Sequence, residues 1–539
     1  MKQNEMKQLA FTASHFQASE AGMQILKSGG TAIEAMVAAA AAIAVAYPHM
    51  NSLGGDGFWL IHEPGQQPIA INAAGVSAAQ ASAAWYQDQG FAQIPSRGSS
   101  AALTVAGTVS GWQLALEISE KWQAGIGLDN ILHSAMHLAH NGITVTESLA
   151  AASRKTVHEL SQVEGFSERY LPNGNVLNVG ETLRNEPLAD LLQHLSVAGL
   201  DDFYRGKTAD CIAAALAKTG SPLTRSDLAA YYARQVKPLS VTTSKGTFYN
   251  LPLPTQGIAS LLILALFDRC FDPSLDESTQ LHLLVEATKQ AFRVRNAEAQ
   301  DASLAISDVG RWLQEPALKK LAAEIDLKQA APWPNPAIPG DTVWMAARDK
   351  DGRMVSFIQS IYWEFGSGLV IPELGLLWNN RGVSFSLKSG ATNELKGNIQ
   401  PFHTLNPALA HLNDGRVLAY GTMGGEGQPQ TQAAIIWRHL YQQQSLRDAI
   451  AAPRWLLGRT WGDNSHNLKI ETDMPEHILS SLQHWGHEIQ QIPACSELMG
   501  HAGAISANEA GVVDLATDPR SDGAALTGFS DASPSEFFN

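Results

Sequence analysis

Thr342 heads the stretch GDTVWMAARDKDGRMVSFIQS, in which Val343, Met345, Val355, Phe357 and Ile358 flank Asp349-Lys350-Asp351-Gly352. Asp-Gly between two such runs predicts a β-hairpin. A threonine at its head is either a β-branched residue in its favoured place or a hydroxyl nucleophile. His133, His137 and His140 are spaced i, i+4, i+7 on one face of a predicted helix, as metal ligands can be, but nothing in the sequence supplies a further ligand, and a solvated helix face is the better reading. Gly54-Gly55-Asp56-Gly57 offers backbone amides to an anion, yet it follows a helix and lacks the Lys-Ser/Thr of a phosphate loop. Gly421-Thr422-Met423-Gly424-Gly425-Glu426-Gly427 follows the strand-like Val417 to Tyr420. Those glycines read equally as an oxyanion hole and as a plain strand-to-helix turn.

No GxSxG elbow occurs, and no recognisable Ser-His-Asp order is present, so a serine hydrolase is not indicated. An N-terminal nucleophile remains: the threonine hydroxyl attacks a carbonyl while its own α-amine, with an intrinsic pKa near 8, serves as base. Such chemistry needs a chain break just before the threonine, where a connector meets the first residue of a strand. Residues 331 to 342 have that layout, because APWPNPAIPG places four prolines in ten residues and can neither continue a helix nor pair inside a sheet.

The elements that must position these residues follow from pattern. SEAGMQILKSGG has helical apolar spacing and ends in Gly29-Gly30, Thr31-Ala-Ile-Glu34 is a capping box that opens a second helix, and Pro48 ends it. A glycine turn then leads into a strand, Phe58 to His62. Helices are expected near 108–120, 129–141, 185–198, 208–218, 256–267, 276–297 and 315–325. Beyond the connector come the hairpin, Leu369 to Trp378, a strand at Leu418 to Tyr420, a helix from Gln430 to Gln444, an αβ pair and a tail at 520–539.

With 539 residues and 45% hydrophobic content the chain can build a large core as one α/β domain or two joined ones. Thirty-seven Lys and Arg against 52 Asp and Glu give a net charge of −15, which would repel a phosphate backbone and argues against nucleic-acid binding. The polar start MKQNEMKQLAFTASHF lacks a secretory core, and the Ala35 to Tyr47 run is too short and alanine-rich to span a bilayer; a cytoplasmic protein without a membrane partner is expected. Cys211, Cys270 and Cys495 are widely spaced and read as small buried hydrophobes.

Eight stretches, in order, resemble the γ-glutamyltranspeptidases, a family of self-cleaving N-terminal nucleophile hydrolases: AGMQILKSGGTAIEAMVAAAAAIAVAYPHMNSLGGDGFWLI, VAGTVSGW, LPLPTQG, TVWMAARDKDGRMVSFIQSIYWEFGSG, GLLWNN, YGTMGGEG, APRW and ATDPRSDGAAL. The resemblance implies a four-layer αββα sandwich. It puts the nucleophile on Thr342 and the scissile bond at Asp341-Thr342, so that residues 1–341 become a large chain and 342–539 a small one, with a dimer of such pairs as a further expectation. Ser360 matches the hydroxyl that orients the nucleophile, and Gly424 and Gly425 match the oxyanion-hole pair. No cofactor is required.

The departures concern substrate. The arginine that holds the substrate's α-carboxylate in the family falls on Ala74, and the aspartate for the α-amino group falls on Ser384. The paired serines become His403 and Thr404, an asparagine of the catalytic block becomes Tyr362, and the small chain's second threonine becomes Val343. An α-amino acid headgroup would be desolvated there without compensation. Arg381, just after Asn379-Asn380, can hold a carboxylate bidentately unless it serves a structural ion pair, and Tyr362, His403 and Thr404 narrow the pocket. The pattern is similar to the family branch that hydrolyses short dicarboxylic monoamides such as oxamate, which would place the chain in purine breakdown. Its partners would then be a small acid amide and its own two chains. A γ-glutamyl transferase or glutathione hydrolase, a related acylase, and a silent binding protein that keeps the fold are the other readings.

Overall fold

The computed structural model describes residues 8–122, 125–333, 341–458 and 467–529, without the side chain of Asp341. Most of the proline-rich connector, residues 334–340, lies outside the described residues.

Two antiparallel sheets stack face to face. The first runs Ala524–Phe529, Gln8–Ala13, Asp341–Arg348, Met354–Tyr362, Asp56–His62, Ile69–Ala73, Arg234–Val236. The second runs Val513–Thr517, Ala502–Ala507, Val417–Thr422, Ala408–Leu412, Gly246–Asn250, Leu239–Thr243. Three apolar clusters fill the gaps between four layers. Phe11, Trp59 and Val343 pack outward with helices of the first half; Phe248, Leu418 and Ala504 pack outward with the helices Gly257–Cys270, Glu277–Glu298 and Gln428–Ile436. Ala10, Phe58, Trp344, Ile358, Leu409 and Ile505 lie between the sheets. This is the αββα sandwich expected from the resemblance.

Local sequence explains the pieces that carry the site. The Asp349 turn forms the expected hairpin: Asp349 Oδ1 accepts from the N–H groups of Asp351 and Arg353 at 3.0 Å each, and Gly352 takes φ +83°. That closure sets Arg348 opposite Met354 and fixes the register of everything upstream. The helix Ala32–Ala46 begins in the expected capping box, with Glu34 N–H donating to Thr31 Oγ1 at 3.1 Å and Thr31 N–H to Glu34 Oε2 at 2.7 Å. All fifteen of its residues are buried, and its alanines let it lie close against the catalytic hairpin and neighbouring helices. Trp344 sets the sheet spacing: on the opposite sheet a Cβ at Gly421 or Gly503 would fall 2.3 or 2.6 Å from its ring, and its Nε1–H donates to Ser356 Oγ at 3.0 Å.

Several expectations need correction. Cys211 and Cys270 are only half-buried and Cys495 is exposed, so the three are not the buried hydrophobes expected. The polar-looking N-terminus contains a strand, Gln8–Ala13, that pairs beside the catalytic hairpin, and the expected tail contributes Ala524–Phe529 at the edge of the same sheet. Both runs are short and alanine-bearing without a clear period-two alternation, and each is held by pairing with a distant partner, which a local pattern does not reveal. The stretch Leu369 to Trp378 is two short strands, Val370–Ile371 and Leu376–Leu377, folded around Gly375 at φ +58°. The helix expected from Gln430 to Gln444 starts at Gln428 and passes at Trp437 into a π-helical turn ending at Tyr441.

Candidate active site

Three side chains stand in a row on the inner face of the first sheet. Trp344, Ile358 and Phe58 point between the sheets, and the two-residue alternation of strands puts Thr342, Ser360 and Asp56 on that same face. Asp56 pairs directly with Ser360. The Ser360 strand lies between the other two, so the backbones of Thr342 and Asp56 are about 10 Å apart, two strand spacings. All three side chains are buried.

The hairpin ladder breaks at this point. A bulge falls between Gln359 and Tyr362, after which Tyr362 pairs with Asp341. Tyr362 takes φ +86°, and its N–H donates to Ser360 Oγ at 2.8 Å. A left-handed tyrosine costs about 1–3 kcal/mol, and it re-aims the ring so that it lies beneath Arg381.

Across from Thr342, Gly424 (φ +116°) and Gly425 (φ +55°) turn the Val417–Thr422 strand into the helix that begins at Gln428. Side chains bearing a Cβ rarely take such values. Gln428 Nε2 lies 3.5 Å from Thr342 Oγ1, while its Oε1 accepts from Asn406 N–H at 3.1 Å. Gln256 braces the turn from behind: its Nε2 donates to Gly425 O at 2.8 Å and to Thr404 O at 2.6 Å, and its Oε1 accepts from Arg295 at 3.1 Å. Arg295 in turn pairs with buried Glu426 at 3.1 Å.

Arg381 closes the other end. The Asn379-Asn380 pair fixes its turn: Asn379 Oδ1 accepts from Arg381 N–H at 3.0 Å and from Thr104 at 2.8 Å, and Asn380 Oδ1 accepts from Trp363 N–H at 3.2 Å. The guanidinium lies 3.9 Å above the Tyr362 ring. Ser384 Oγ donates to the carbonyls of Arg381 and Phe402, so it supports the turn. Ala74 lies in the core between the sheets, and Gly75 next to it donates its N–H to Asp56 Oδ1 at 2.7 Å. His403 approaches Asp56, Nε2 to Oδ2 3.8 Å, and meets Phe58 edge-on.

Polar atoms accumulate here without partners. Among the described residues all three Arg381 nitrogens, Asp56 Oδ2, both His403 ring nitrogens and Thr404 Oγ1 make no hydrogen bond. Each buried group left so costs about 1–3 kcal/mol, and they meet in one place where a polar ligand would satisfy them together. Burial pulls Arg381 down to about 10 even though Tyr362 and Asp56 act the other way. Burial also pushes Asp56 up to about 7 against the pull of Arg381 and of the Gly75 and Gly107 amides. His403 is driven well below its usual value by burial and then by Arg381, so it is neutral.

Ser360, Tyr362, Arg381 and His403 are thus linked through Asp56 and the hairpin bulge, and Thr342, Thr404, Gly424 and Gly425 are joined by Gln428 and Gln256, although up to 83 positions separate them in the sequence. Asp56, Gln256, Gln428 and Arg295 are functional candidates that sequence reasoning missed. The signal for Asp56 was an acidic residue among three glycines entering an apolar strand, for Gln256 it was a glutamine inside the LPLPTQG motif, and Gln428 directly follows the YGTMGGEG motif. His133, His137 and His140 are exposed. Elsewhere His282, Glu286 and His487 have ligand atoms within 4.8 Å of one another, but Lys289 Nζ, 2.6 Å from Glu286, takes the place of a cation.

Residues 18–528 match the family model described as gamma-glutamyltranspeptidase. The chain is 49% identical to the oxamate amidohydrolase proenzyme of Klebsiella pneumoniae, over 95% of this chain and 97% of that protein. It is 35% identical to the glutathione hydrolase-like YwrD proenzyme of Bacillus subtilis, over 95% and 97%. Among solved structures, the cephalosporin acylase from Bacillus halodurans superposes with a TM-score of 0.89 at 30% identity, covering 97% of this chain and 96% of that one.

Proposed function

The chain belongs to the γ-glutamyltranspeptidase family of N-terminal nucleophile hydrolases, and we propose that it is a self-processing amidohydrolase of short dicarboxylic monoamides, oxamate being the simplest. The observation that carries this reading is Arg381: a fully buried guanidinium whose nitrogens make no hydrogen bond among the described residues, lying over the Tyr362 ring. A planar carboxylate satisfies it bidentately, and the amide to be cleaved would then extend from it toward Thr342.

In the first reaction Thr342 Oγ attacks the Asp341 carbonyl, the peptide nitrogen becomes the new α-amine, and water opens the resulting ester. In the second, that amine takes the hydroxyl proton as Oγ attacks the amide carbon. The Gly424 and Gly425 amides receive the oxyanion, and Ser360 and Gln428 orient the hydroxyl. The amine returns the proton to the leaving nitrogen, ammonia departs, and water hydrolyses the acyl-threonine to the dicarboxylate. No step requires a cofactor.

A second reading has specific support: Arg381 and Asp56 carry opposite charges in one pocket and would hold the α-carboxylate and α-ammonium of a γ-glutamyl donor. One assay separates the two. Ammonia release from oxamate is compared with nitroaniline release from γ-glutamyl-p-nitroanilide; the proposal expects turnover of oxamate, and preference for the anilide overturns it.

A further inference from the structure

We propose that Asp56 acts as an uncharged carboxylic acid that donates its Oδ2 proton to the substrate's carboxylate, making it a specificity-determining residue alongside Arg381. The inference rests on the acid-amide reading above and deepens it, since it assigns the second half of the carboxylate site to a residue that has no part in that reading so far.

The geometry leaves Asp56 one free function. Oδ1 is engaged by the Gly75 N–H at 2.7 Å, whereas Oδ2 is buried, makes no hydrogen bond and lies on the sheet face shared with Ser360 and Thr342. The groups facing it are few. Arg381 contributes a positive charge; His403, 3.8 Å away, is held neutral by burial and by Arg381. Tyr204 and Tyr231, the remaining titratable neighbours, are raised by burial and stay un-ionised.

Charge balance then decides the protonation state. With Arg381 charged, Asp56 ionised and the Thr342 amine in the neutral form that lets it act as base, the pocket is neutral, so a substrate carboxylate would add an uncompensated buried negative charge within reach of another. Two carboxylates sharing one site cannot both ionise cheaply, and one takes up a proton. Asp56 already stands near 7 before any ligand arrives, because burial outweighs Arg381 and the Gly75 and Gly107 amides. The substrate acid is far the stronger, so the proton goes to Asp56, whose O–H then satisfies the ligand oxygen that Arg381 does not face. A zwitterionic amino acid requires the reverse: an ionised Asp56 accepting from its ammonium.

The test uses pyruvate, which has oxamate's shape with methyl in place of the amide nitrogen and is not hydrolysed. Its binding to the self-cleaved wild-type enzyme is measured by titration calorimetry from pH 6 to 9, in buffers of different ionisation heat. The expected result is uptake of one proton above pH 7 and a Kd that rises about tenfold per pH unit there. Asp56→Asn, a permanent donor of the same shape, should bind pyruvate with a Kd independent of pH, and Asp56→Ala should bind at least about tenfold more weakly at pH 6. Affinity in wild type that is flat or improves with pH overturns the inference, and so does absence of proton uptake; both readouts stand even if a variant fails to fold. Because pyruvate is only bound, the two readings fail separately. Pyruvate binding as expected without oxamate turnover sinks the amidohydrolase reading alone, oxamate turnover with pH-independent pyruvate binding sinks the Asp56 role alone, and no pyruvate binding counts against both.

Discussion

Arg381 lies flat over Tyr362, its guanidinium carbon 3.9 Å from the ring centre, and the tyrosine reaches that position only by adopting a left-handed backbone, φ +86°. A charge is thereby held at full burial against an aromatic face, with Asp56 as the carboxyl that acts on it. An arrangement of this kind favours a ligand over stability.

Replacing Arg381 with methionine separates those two effects. The substitution keeps the apolar stem and removes a buried, unpartnered charge, so the thermal midpoint should stay level or rise. Losing a charge-assisted bidentate contact should raise KM for oxamate about 10- to 100-fold. A fall in thermal midpoint of several degrees would show that Arg381 instead makes a structural ion pair.

Tyr362 is open to the same dissection. Tyr362→Phe retains the ring and should change KM little, whereas Tyr362→Leu removes the cation–π support and should raise it about 3- to 30-fold. Steady-state kinetics on oxamate at fixed pH reads the difference.

Gln256 braces the glycine turn without touching the cleft's reacting atoms. One amide group holds both Gly425 O and Thr404 O; substituting leucine frees the turn, and a displacement of an ångström at an oxyanion donor costs up to about 100-fold. The effect should fall on kcat with KM nearly unchanged. A matching loss in both would mean that the whole pocket had shifted.

How much of this was legible beforehand depended on distance along the chain. The Asp349-Gly352 hairpin and the Thr31-Glu34 capping box were readable because their bonds close within three or four residues. The family motifs singled out Thr342, Ser360 and the glycine pair, and the fold sets the first two on one sheet face with Gln428, just past the glycine turn, 3.5 Å from the Thr342 hydroxyl. Asp56 was read only as part of an anion-binding turn, since its importance arises from pairing with Ser360, 304 positions away, and from facing Arg381. The Gln8–Ala13 and Ala524–Phe529 strands were missed for the same physical reason: neither has a strong apolar alternation, and each is stabilised by partners from the other end of the chain.

Self-cleavage can be checked without any substrate. Purified wild-type protein should give intact masses for residues 1–341 and 342–539, and Thr342→Ala should remain one chain. Cleavage persisting in Thr342→Ala would move the nucleophile to another residue.

The ATDPRSDGAAL and APRW stretches, taken at first only as marks of resemblance, turn out to hold a buried ionic cluster. Arg454 pairs with Asp518 at 2.5 Å, Arg520 with Asp518 at 3.1 Å and with Glu471 at 2.5 Å, and all four side chains are essentially inaccessible. Removing one partner strands the others, so Arg520→Met should cost about 3–5 kcal/mol of unfolding free energy. The cluster also sets a pH dependence. Burial alone would raise Asp518, but Arg454, Arg520 and the amides of Ala502 and Arg520 outweigh it and hold the carboxyl below its usual value. A group depressed in the folded state contributes its full stability above the unfolded value, about pH 4, and loses it as pH falls through the folded one. Urea unfolding at pH 5 and pH 3 should therefore show a drop in the wild-type protein that is smaller in Asp518→Asn, which starts less stable. Equal drops in the two proteins would place the acid sensitivity at other carboxylates.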